Sequence, residues 1–332
     1  MGREFERQDA AEVFVQMLWI AALGAALSVQ VRPAPAVVAT LTHAGLERSF
    51  HVTVPESAAP GAPLVLALHG RGGRGERLDR VMGHRLSAEA QERGWVLVTP
   101  EGHNNGWNDG RPVTTRRGGA REAVDDVGFL DALVNRLAAD GTIDPERVFV
   151  VGMSNGGQLA YRLAAEHPER FHTIAPMISN LPTTLADHTL DSPVSVLVMN
   201  GTADPVVPYD GGTVEVFGQA RGQVLSTEAT IRWWADRNHC TGSPATQALE
   251  DRDPSDGTRI FVQSLQSCEG GVEVTLVKVQ GGGHTWPGGP QYLPRRMVGT
   301  VSQDADAVGI LYRFFTRQIA RLDAAPEDET PL

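Results

Sequence analysis

The residue most suggestive of chemistry is a serine between two glycines, in the pattern Gly152-x-Ser154-x-Gly156. The pattern follows an apolar run typical of a strand (VFVV, 148–151) and precedes a helical pattern. A strand-to-helix elbow of this kind exposes the serine in a strained turn, and its glycines relieve crowding. The helix N-terminus favours developing negative charge. The alternative is a glycine-rich turn that only lets a helix pack on a strand. The context favours Ser154 as a nucleophile.

A serine hydroxyl needs a base, and the base needs a carboxylate that orients it. After such an elbow the expected chain order is acid and then histidine, each on a loop beyond a strand. Asp204 follows the apolar run SVLVMN, and His284 follows VEVTLVKV. Asp210 is a reserve candidate for the acid, whereas Asp191 precedes the strand and is disfavoured. The other candidate histidines come too early in the chain or adjoin a predicted helix end: His43, His51, His167, His172, His188 and His239.

Two backbone N–H groups must face the oxygen that becomes negatively charged during attack on a carbonyl. We expect one from Asn155, the residue after the nucleophile. The second is expected from the glycine-rich loop 69–73, because glycines there permit close backbone approach. Arg71 is the preferred donor in this loop, and Gly72 is the alternative.

Two tryptophans are candidates for substrate contact. Trp107 opens the polar loop WNDGR (107–111), for which a turn stabilised by Asp109 is an equally good interpretation. Trp286 lies two residues after the predicted base and is a candidate wall of a substrate pocket. Trp233 and Trp234 are predicted to be core residues.

The elements that must position these residues alternate along the chain. Strand-like runs occupy 46–55, 63–70, 95–102, 148–157, 195–204 and 272–284, and helical patterns occupy Val124–Ala139, Gly157–Ala165 and Thr227–Arg237. Such alternation predicts an α/β fold with a mostly parallel central sheet and helices on both faces.

Three segments are expected along the chain: a leader resembling a signal peptide (1–36), one catalytic domain (37–320) and an acidic flexible tail (321–332). Residues 13–31 are apolar and precede the A-x-A pattern at residues 34–36. The segment before them is acidic rather than basic, and a membrane anchor is the rival interpretation. We predict a secreted or periplasmic protein without a stable membrane partner.

The net charge of −11 argues against nucleic acid as a partner, because phosphate binding requires a basic surface. Cys240 and Cys268 have no second cysteine ligand close by, so a zinc site is not expected. The two thiols are either free core residues or, in an oxidising compartment, paired. We expect a monomer.

The chain resembles the polyhydroxybutyrate depolymerase-like esterases, a group close to feruloyl and acetylxylan esterases. The resemblance runs from about residue 46 to about residue 315 and is carried by VDDVGF (124–129), GMSNGG (152–157), NGTADPVVPY (200–209) and GGHTWPGG (282–289). It implies an α/β-hydrolase fold, ester hydrolysis without metal or cofactor, a Ser154–Asp204–His284 triad and a Cys240–Cys268 disulfide. Arg71 departs from the smaller or aromatic residue common at its position, and we expect no added polymer-binding domain.

The expected function is therefore that of a serine esterase that forms an acyl-enzyme. Hydroxyalkanoate oligoesters and short-chain esters rank first as substrates, and feruloyl or acetyl esters on plant polysaccharide rank second. Hydrolysis of synthetic polyester is a conceivable side activity of the same chemistry. An acyltransferase with the same triad and a non-catalytic binding protein on this fold stay open as alternatives.

Overall fold

The computed structural model of the chain describes residues 34–112, 124–216 and 218–324. The predicted leader lies outside the described residues except for positions 34–36, and so do residues 325–332 of the predicted tail. The described strands are β1 Val37–His43, β2 Leu46–Thr53, β3 Ala62–Leu68, β4 Val96–Pro100, β5 Ile143–Met153, β6 Thr173–Met177, β7 Ser195–Gly201, β8 Gly212–Val216, β9 Gln219–Val224, β10 Ala245–Ala248, β11 Arg259–Leu265 and β12 Val274–Gln280.

Ten of these strands form one sheet in the order β1-β2-β4-β3-β5-β6-β7-β12-β11-β10, and β8 pairs with β9 in a separate hairpin. The six central strands, from β4 to β12, are parallel. Antiparallel strands extend the sheet on both sides. The sheet is thus mostly parallel, as the alternating pattern predicted.

The described helices are α1 Gly75–Val81, α2 Arg85–Arg93, α3 Asp126–Ala139, α4 Asn155–Glu166, α5 Thr227–Arg237, α6 Arg295–Val298 and α7 Ala307–Ala324. Short 3₁₀ turns occupy Thr183–Leu185 and Glu269–Gly271. Two helices begin at side-chain caps. Asp125 accepts from Gly128 N at the start of α3, and Ser226 accepts from Ala229 N at the start of α5.

Both faces of the sheet are buried, which explains why its central strands are mostly apolar. Along β3, Leu64, Leu66 and Leu68 contribute to one core and Val65 and Ala67 to the other, because successive side chains of a strand point to opposite faces. Helices α3, α4 and α5 cover the first face, and α1, α2 and α7 cover the second. This is the α/β-hydrolase architecture.

The six predicted strands and three predicted helices correspond to β2, β3, β4, β5, β7 and β12, and to α3, α4 and α5. The elements that went unpredicted are mostly short or half-exposed, such as β1 and the hairpin β8–β9. Helix α7 continues to Ala324, so the first four residues of the predicted tail are helical.

A disulfide joins Cys240, just beyond α5, to Cys268, at the turn before β12. The pairing expected from the family resemblance is therefore present. Among the described residues, no helix combines the length and the apolar character needed to cross a membrane.

Candidate active site

Ser154, Asp204 and His284 all lie at the carboxyl edge of the central sheet. Ser154 follows β5, Asp204 follows β7 and His284 follows β12. The register aligns these strand ends, since Met153 pairs with Met177 of β6, Met177 pairs with Met199 of β7, and Gly201 pairs with Val279. The carboxyl edge of a parallel sheet is where α/β proteins place their sites.

Ser154 occupies a strained turn between β5 and α4. Its φ of 52° and ψ of −116° lie in a region that L-residues rarely adopt. The neighbouring glycines are required by close packing. A methyl group at Gly152 would lie 2.3 Å from the carbonyl oxygen of Gly156, and one at Gly156 would lie 2.4 Å from that of Leu68. The elbow therefore holds the serine directly against the end of β3.

Asp204 and His284 form a buried hydrogen-bonded pair. His284 Nδ1 donates to Asp204 Oδ2 at 2.7 Å, and the two side chains are 7% and 3% exposed respectively. Asp204 Oδ1 accepts from the backbone N–H groups of Val206 and Val207. Because the carboxylate accepts at Nδ1, the neutral imidazole presents an unprotonated Nε2. This is the state a general base requires.

The loops that carry this pair touch through their backbones. A methyl group at Gly201 would lie 2.3 Å from the carbonyl oxygen of Gly282, and one at Gly283 would lie 2.1 Å from that of Val298. Glycine is therefore demanded on both loops. The described hydrogen bonds do not include one between Ser154 Oγ and His284, a bond that commonly tightens only when substrate binds.

The glycine-rich loop after β3 lies beside the nucleophile. A methyl group at Gly70 would lie 3.4 Å from Ser154 Cβ. The Gly72 amide donates to the Asn105 carbonyl at 2.6 Å, and the Gly73 amide donates to the Gly70 carbonyl at 3.0 Å. Gly72, the alternative donor, is thus committed within the protein. Arg71 stays the predicted donor from this loop.

His69 lies at the start of that loop, and its two hydrogen bonds fix its imidazole in one tautomer. Its Nε2 accepts from the Gly102 amide at 3.0 Å, so Nδ1 carries the proton and donates to the Gly70 carbonyl at 2.7 Å. Burial lowers the pKa of His69 below its usual value, against smaller opposing effects from the Gly70 carbonyl and nearby carboxylates. The imidazole is a structural hydrogen-bonding group in its neutral form.

Asn155, the second predicted donor, is the first residue of α4, and an N–H group in the first turn has no acceptor within its own helix. Its side chain is 2% exposed and forms bonds that sequence reasoning missed. Asn155 Oδ1 accepts from the Trp107 amide at 2.8 Å, and Nδ2 donates to the Trp107 carbonyl and to Asp109 Oδ2. Its side chain therefore binds the loop 107–111.

Trp107 and Trp286, the two predicted substrate contacts, are both 2% exposed. Trp107 Nε1 donates to the His69 carbonyl at 2.8 Å. Trp286 stacks on Tyr292 at a centroid distance of 5.5 Å, and the Tyr292 hydroxyl donates to the His284 carbonyl. Both indoles pack against residues of the site. A direct substrate contact stays a prediction for each.

Asp126, in the VDDVGF string, contacts the loop 107–111, which the sequence did not reveal. Its Oδ1 accepts from Arg48 at 2.7 Å in a buried ion pair, and its Oδ2 accepts from the Asn108 amide at 2.6 Å. The string itself was visible in the sequence, but its contact with loop 107–111 was not.

No group of three or more histidine, cysteine, aspartate or glutamate side chains within residues 34–112, 124–216 and 218–324 is arranged to hold a metal ion. The residues at the carboxyl edge suit nucleophilic chemistry. They comprise a strained serine, a buried histidine–carboxylate pair and a glycine-rich loop.

The model of the dienelactone hydrolase family matches residues 25–240, more than half of the chain. The chain belongs to this family. It is also 34% identical over 255 residues to the putative esterase NocK of Nocardia uniformis subsp. tsuyamanensis, across 74% of this chain and 72% of the relative. The chain is thus an esterase of the α/β-hydrolase type.

Two further comparisons bear on the esterase relatives. Feruloyl esterase B of Piromyces equi is 27% identical over 164 residues, which span 48% of this chain but only 29% of that protein. The solved structure of acetyl xylan esterase from Aspergillus awamori gives a TM-score of 0.50 at 15% identity, over 75% of this chain and 94% of that one. The latter likeness shows the fold alone.

Proposed function

We propose that this esterase is a secreted serine hydrolase of carboxylic esters, with Ser154 as nucleophile, His284 as base and Asp204 as the orienting acid. The observation that carries the proposal is the buried Asp204–His284 hydrogen bond, which lies on the same sheet edge as the strained Ser154. A base of this kind activates a serine hydroxyl that is otherwise a weak nucleophile.

The proposed reaction has two halves. His284 Nε2 takes the proton from Ser154 Oγ, which attacks the ester carbonyl, and the amides of Asn155 and Arg71 stabilise the oxyanion. His284 then protonates the departing alcohol, leaving an acyl group on Ser154. Water attacks the acyl-enzyme with His284 again as base, which releases the acid and regenerates the serine.

Hydroxyalkanoate oligoesters and short-chain esters are the proposed substrates. Feruloyl or acetyl esters on polysaccharide are the second candidate, which is favoured by the names of related proteins, including feruloyl esterase B and a bifunctional acetylxylan esterase/xylanase.

The disulfide supports export, because such bonds persist in oxidising compartments.

The mechanism is tested by Ser154→Ala, with turnover of p-nitrophenyl butyrate as the readout. We expect kcat to fall by about 10⁴-fold or more, since loss of a triad member leaves only the residual contribution of binding and the oxyanion hole. The exposed Ser57 provides a matched control as Ser57→Ala. Unchanged turnover in Ser154→Ala would contradict the whole assignment.

The substrate class is tested with the purified enzyme on hydroxybutyrate oligomers, short p-nitrophenyl esters, methyl ferulate and acetylated xylan. The highest kcat/KM on the first two supports the proposed ranking, whereas a preference for ferulate or xylan acetate supports the second candidate. Added short alcohols separate hydrolysis from acyl transfer. An enzyme that passes nearly all acyl groups to the alcohol is a transferase.

A further inference from the structure

We propose that Trp107 is a positioning residue for the oxyanion hole, because this one side chain and its backbone bind both segments that supply the predicted donors. The inference rests on the proposed function of Ser154. It concerns a residue that touches neither Ser154 nor His284 through a described hydrogen bond, and that acts through Asn155 and the loop after β3.

Trp107 makes three directional contacts with the two donor segments. Its indole Nε1 donates to the His69 carbonyl at 2.8 Å, two residues before Arg71. Its backbone N–H donates to Asn155 Oδ1 at 2.8 Å, and its carbonyl accepts from Asn155 Nδ2 at 3.1 Å. The backbone N–H and carbonyl of Trp107 together bind both polar atoms of the Asn155 amide. The indole N–H binds the start of the glycine-rich loop on the other side.

The two donor segments already touch, but that contact alone does not orient them. A methyl group at Gly156 would lie 2.7 Å from the His69 carbonyl oxygen, so the first turn of α4 rests on the end of β3. Van der Waals contact of this kind is not directional. Oxyanion donors must lie about 2.7–3.1 Å from the developing charge, and a displacement of about 1 Å can cost 10²-fold in rate. The hydrogen bonds of Trp107 are directional, so they fix the orientation of the two donor segments relative to each other.

The loop that carries Trp107 is itself anchored by buried polar bonds. Asp109 Oδ2 accepts from Asn155 Nδ2 and from Arg111, and Arg111 also donates to Gln158 on α4. On the other side of the loop, Asp126 accepts from the Asn108 amide. In a low-dielectric interior such bonds are strong and mutually supporting. We call residues 107–111 the brace, since they are fixed to α4 and α3 independently of substrate.

Three roles for Trp107 predict different kinetics. A wall of the substrate pocket would change KM when altered, with little effect on kcat. A purely structural core residue would lower stability and the fraction of active enzyme, with normal kinetics per active site. A positioning residue lowers kcat and weakens the binding of an oxyanion mimic, and it leaves KM nearly unchanged.

The decisive variant is Trp107→Phe, which keeps an aromatic ring and removes the Nε1 donor. We expect kcat per titrated active site to fall about tenfold, a part of the 10²–10³-fold that loss of a whole oxyanion donor costs. The inhibition constant of phenylboronic acid, which forms a tetrahedral adduct on Ser154, should rise by a similar factor. KM for the ester should stay close to that of the parent.

Trp233→Phe is the matched control. Trp233 is also buried, and its Nε1 also donates to a backbone carbonyl at 2.8 Å, that of Ala186. It lies on α5 and contacts neither donor segment through a described hydrogen bond. We expect this variant to lose some thermal stability and to keep the kcat and boronate affinity of the parent.

A second variant keeps the proposal testable if Trp107→Phe does not fold. Asn155→Ala preserves the backbone donor and removes both side-chain bonds to Trp107, together with the bond to Asp109 in the same loop, so it should reproduce the loss of kcat and boronate affinity. Parent-like kcat and boronate affinity in whichever variant folds, or equal losses in Trp233→Phe, would overturn the proposal.

If Ser154→Ala is fully active, the proposed function fails first. If Ser154→Ala is inactive and Trp107→Phe is normal, only the positioning role fails.

Discussion

The two halves of the proposed active site are held by different mixtures of interactions. On the nucleophile side, the elbow and the glycine-rich loop are joined by side-chain hydrogen bonds of Trp107, Asn155 and Asp109. On the acid–base side, the loops of Asp204 and His284 share the Asp204–His284 bond and a bond from the Gly281 amide to Thr202 Oγ1, and otherwise meet mainly through backbone. The Ala203 amide donates to the Gly282 carbonyl at 2.9 Å, and the His284 amide donates to the Val298 carbonyl at the end of α6 at 2.6 Å.

This difference determines what each half is sensitive to. Side-chain networks fail when one partner changes its charge or its hydrogen-bonding atoms, because the remaining partners are left buried and unsatisfied. Backbone contacts between glycines tolerate changes in neighbouring side chains, but they fail when a single methyl group is added. Substitutions that remove charge and substitutions that add volume should therefore separate the two halves.

The largest expected effect comes from Asp204→Asn on the acid–base side. The amide oxygen can still accept from Val206 and Val207, but its NH₂ group faces His284 Nδ1 and forces the other imidazole tautomer. We expect kcat to fall about 10⁴-fold with little change in KM. The assay is ester turnover, and the control is Asp210→Asn, an exposed carboxylate nearby. A larger loss in Asp210→Asn would assign the acid to that residue instead.

On the nucleophile side, Asp126→Asn should have the largest effect on stability. The change leaves the Arg48 guanidinium buried without its counter-charge, which costs about 3–5 kcal/mol in the free energy of unfolding. Urea denaturation measures it. Asp131, on the same helix, forms a more exposed pair with Arg170, so Asp131→Asn should cost no more than about 1 kcal/mol. Equal costs in the two variants would contradict the role given to the buried pair.

The disulfide lies near the amino end of β12, whereas His284 follows the carboxyl end of that strand. The bridge closes a loop of 28 residues, and the chain-entropy model gives about 3–4 kcal/mol for a loop of that length. The Cys240→Ser/Cys268→Ser double variant should therefore unfold at lower urea concentration and keep its kcat at 25 °C. A loss of kcat without a loss of stability would show that the bridge also shapes the site.

Adding a methyl group at Gly201 tests the backbone packing of the acid–base side. Gly201→Ala should cost about 1–3 kcal/mol in the free energy of unfolding and reduce activity, because the two catalytic loops are forced apart. Gly141→Ala is the control. Its added methyl group meets no atom within 4 Å, and only its φ of +70° is unfavourable. We expect this control to be active. Full activity in Gly201→Ala would disprove the close approach.

The smallest expected effect is a pH dependence of the nucleophile side. Burial lowers the pKa of His69, so below about pH 6.5 the unfolded chain binds a proton that the folded one does not. The contribution of neutral, buried His69 to the free energy of unfolding is therefore fully present above about pH 6.5, and it decreases as the pH falls below that value. Urea denaturation at pH 7.5 and 5.5 should show a smaller difference in His69→Gln than in the parent or in the control, exposed His84→Gln. Equal differences would refute the assignment.

Much of the proposed site and of the central sheet could be expected from the sequence because the signals are local. Gly152 is required by its close approach to Gly156 within the same elbow, and the apolar strands reflect their own burial on both faces. Asp204 and His284 each follow a recognisable strand, so their chain order and the loop glycines were sufficient to propose them as acid and base. The hairpin β8–β9 went unpredicted, because its strands are short and half-exposed.

The brace was beyond sequence reasoning for a different reason. Trp107 and Asn155 are 48 residues apart, and the sequence favoured Trp286 over Trp107 as a substrate contact and gave a simple turn equal weight for the loop 107–111. The direction of a side chain depends on the elements that pack around it, and those come from distant parts of the chain. Only the assembled sheet brings the brace against α4.

The sequence by itself determined the nucleophile candidate, the order of its partners and the parallel sheet, because these follow from residue type and short-range periodicity. The tertiary structure alone decided which groups share hydrogen bonds at the carboxyl edge. It buried Trp107 and Trp286, committed the Gly72 amide to Asn105 and joined Asp126 to the brace. Directional bonds between residues far apart in sequence exist only once the strands have set their distances.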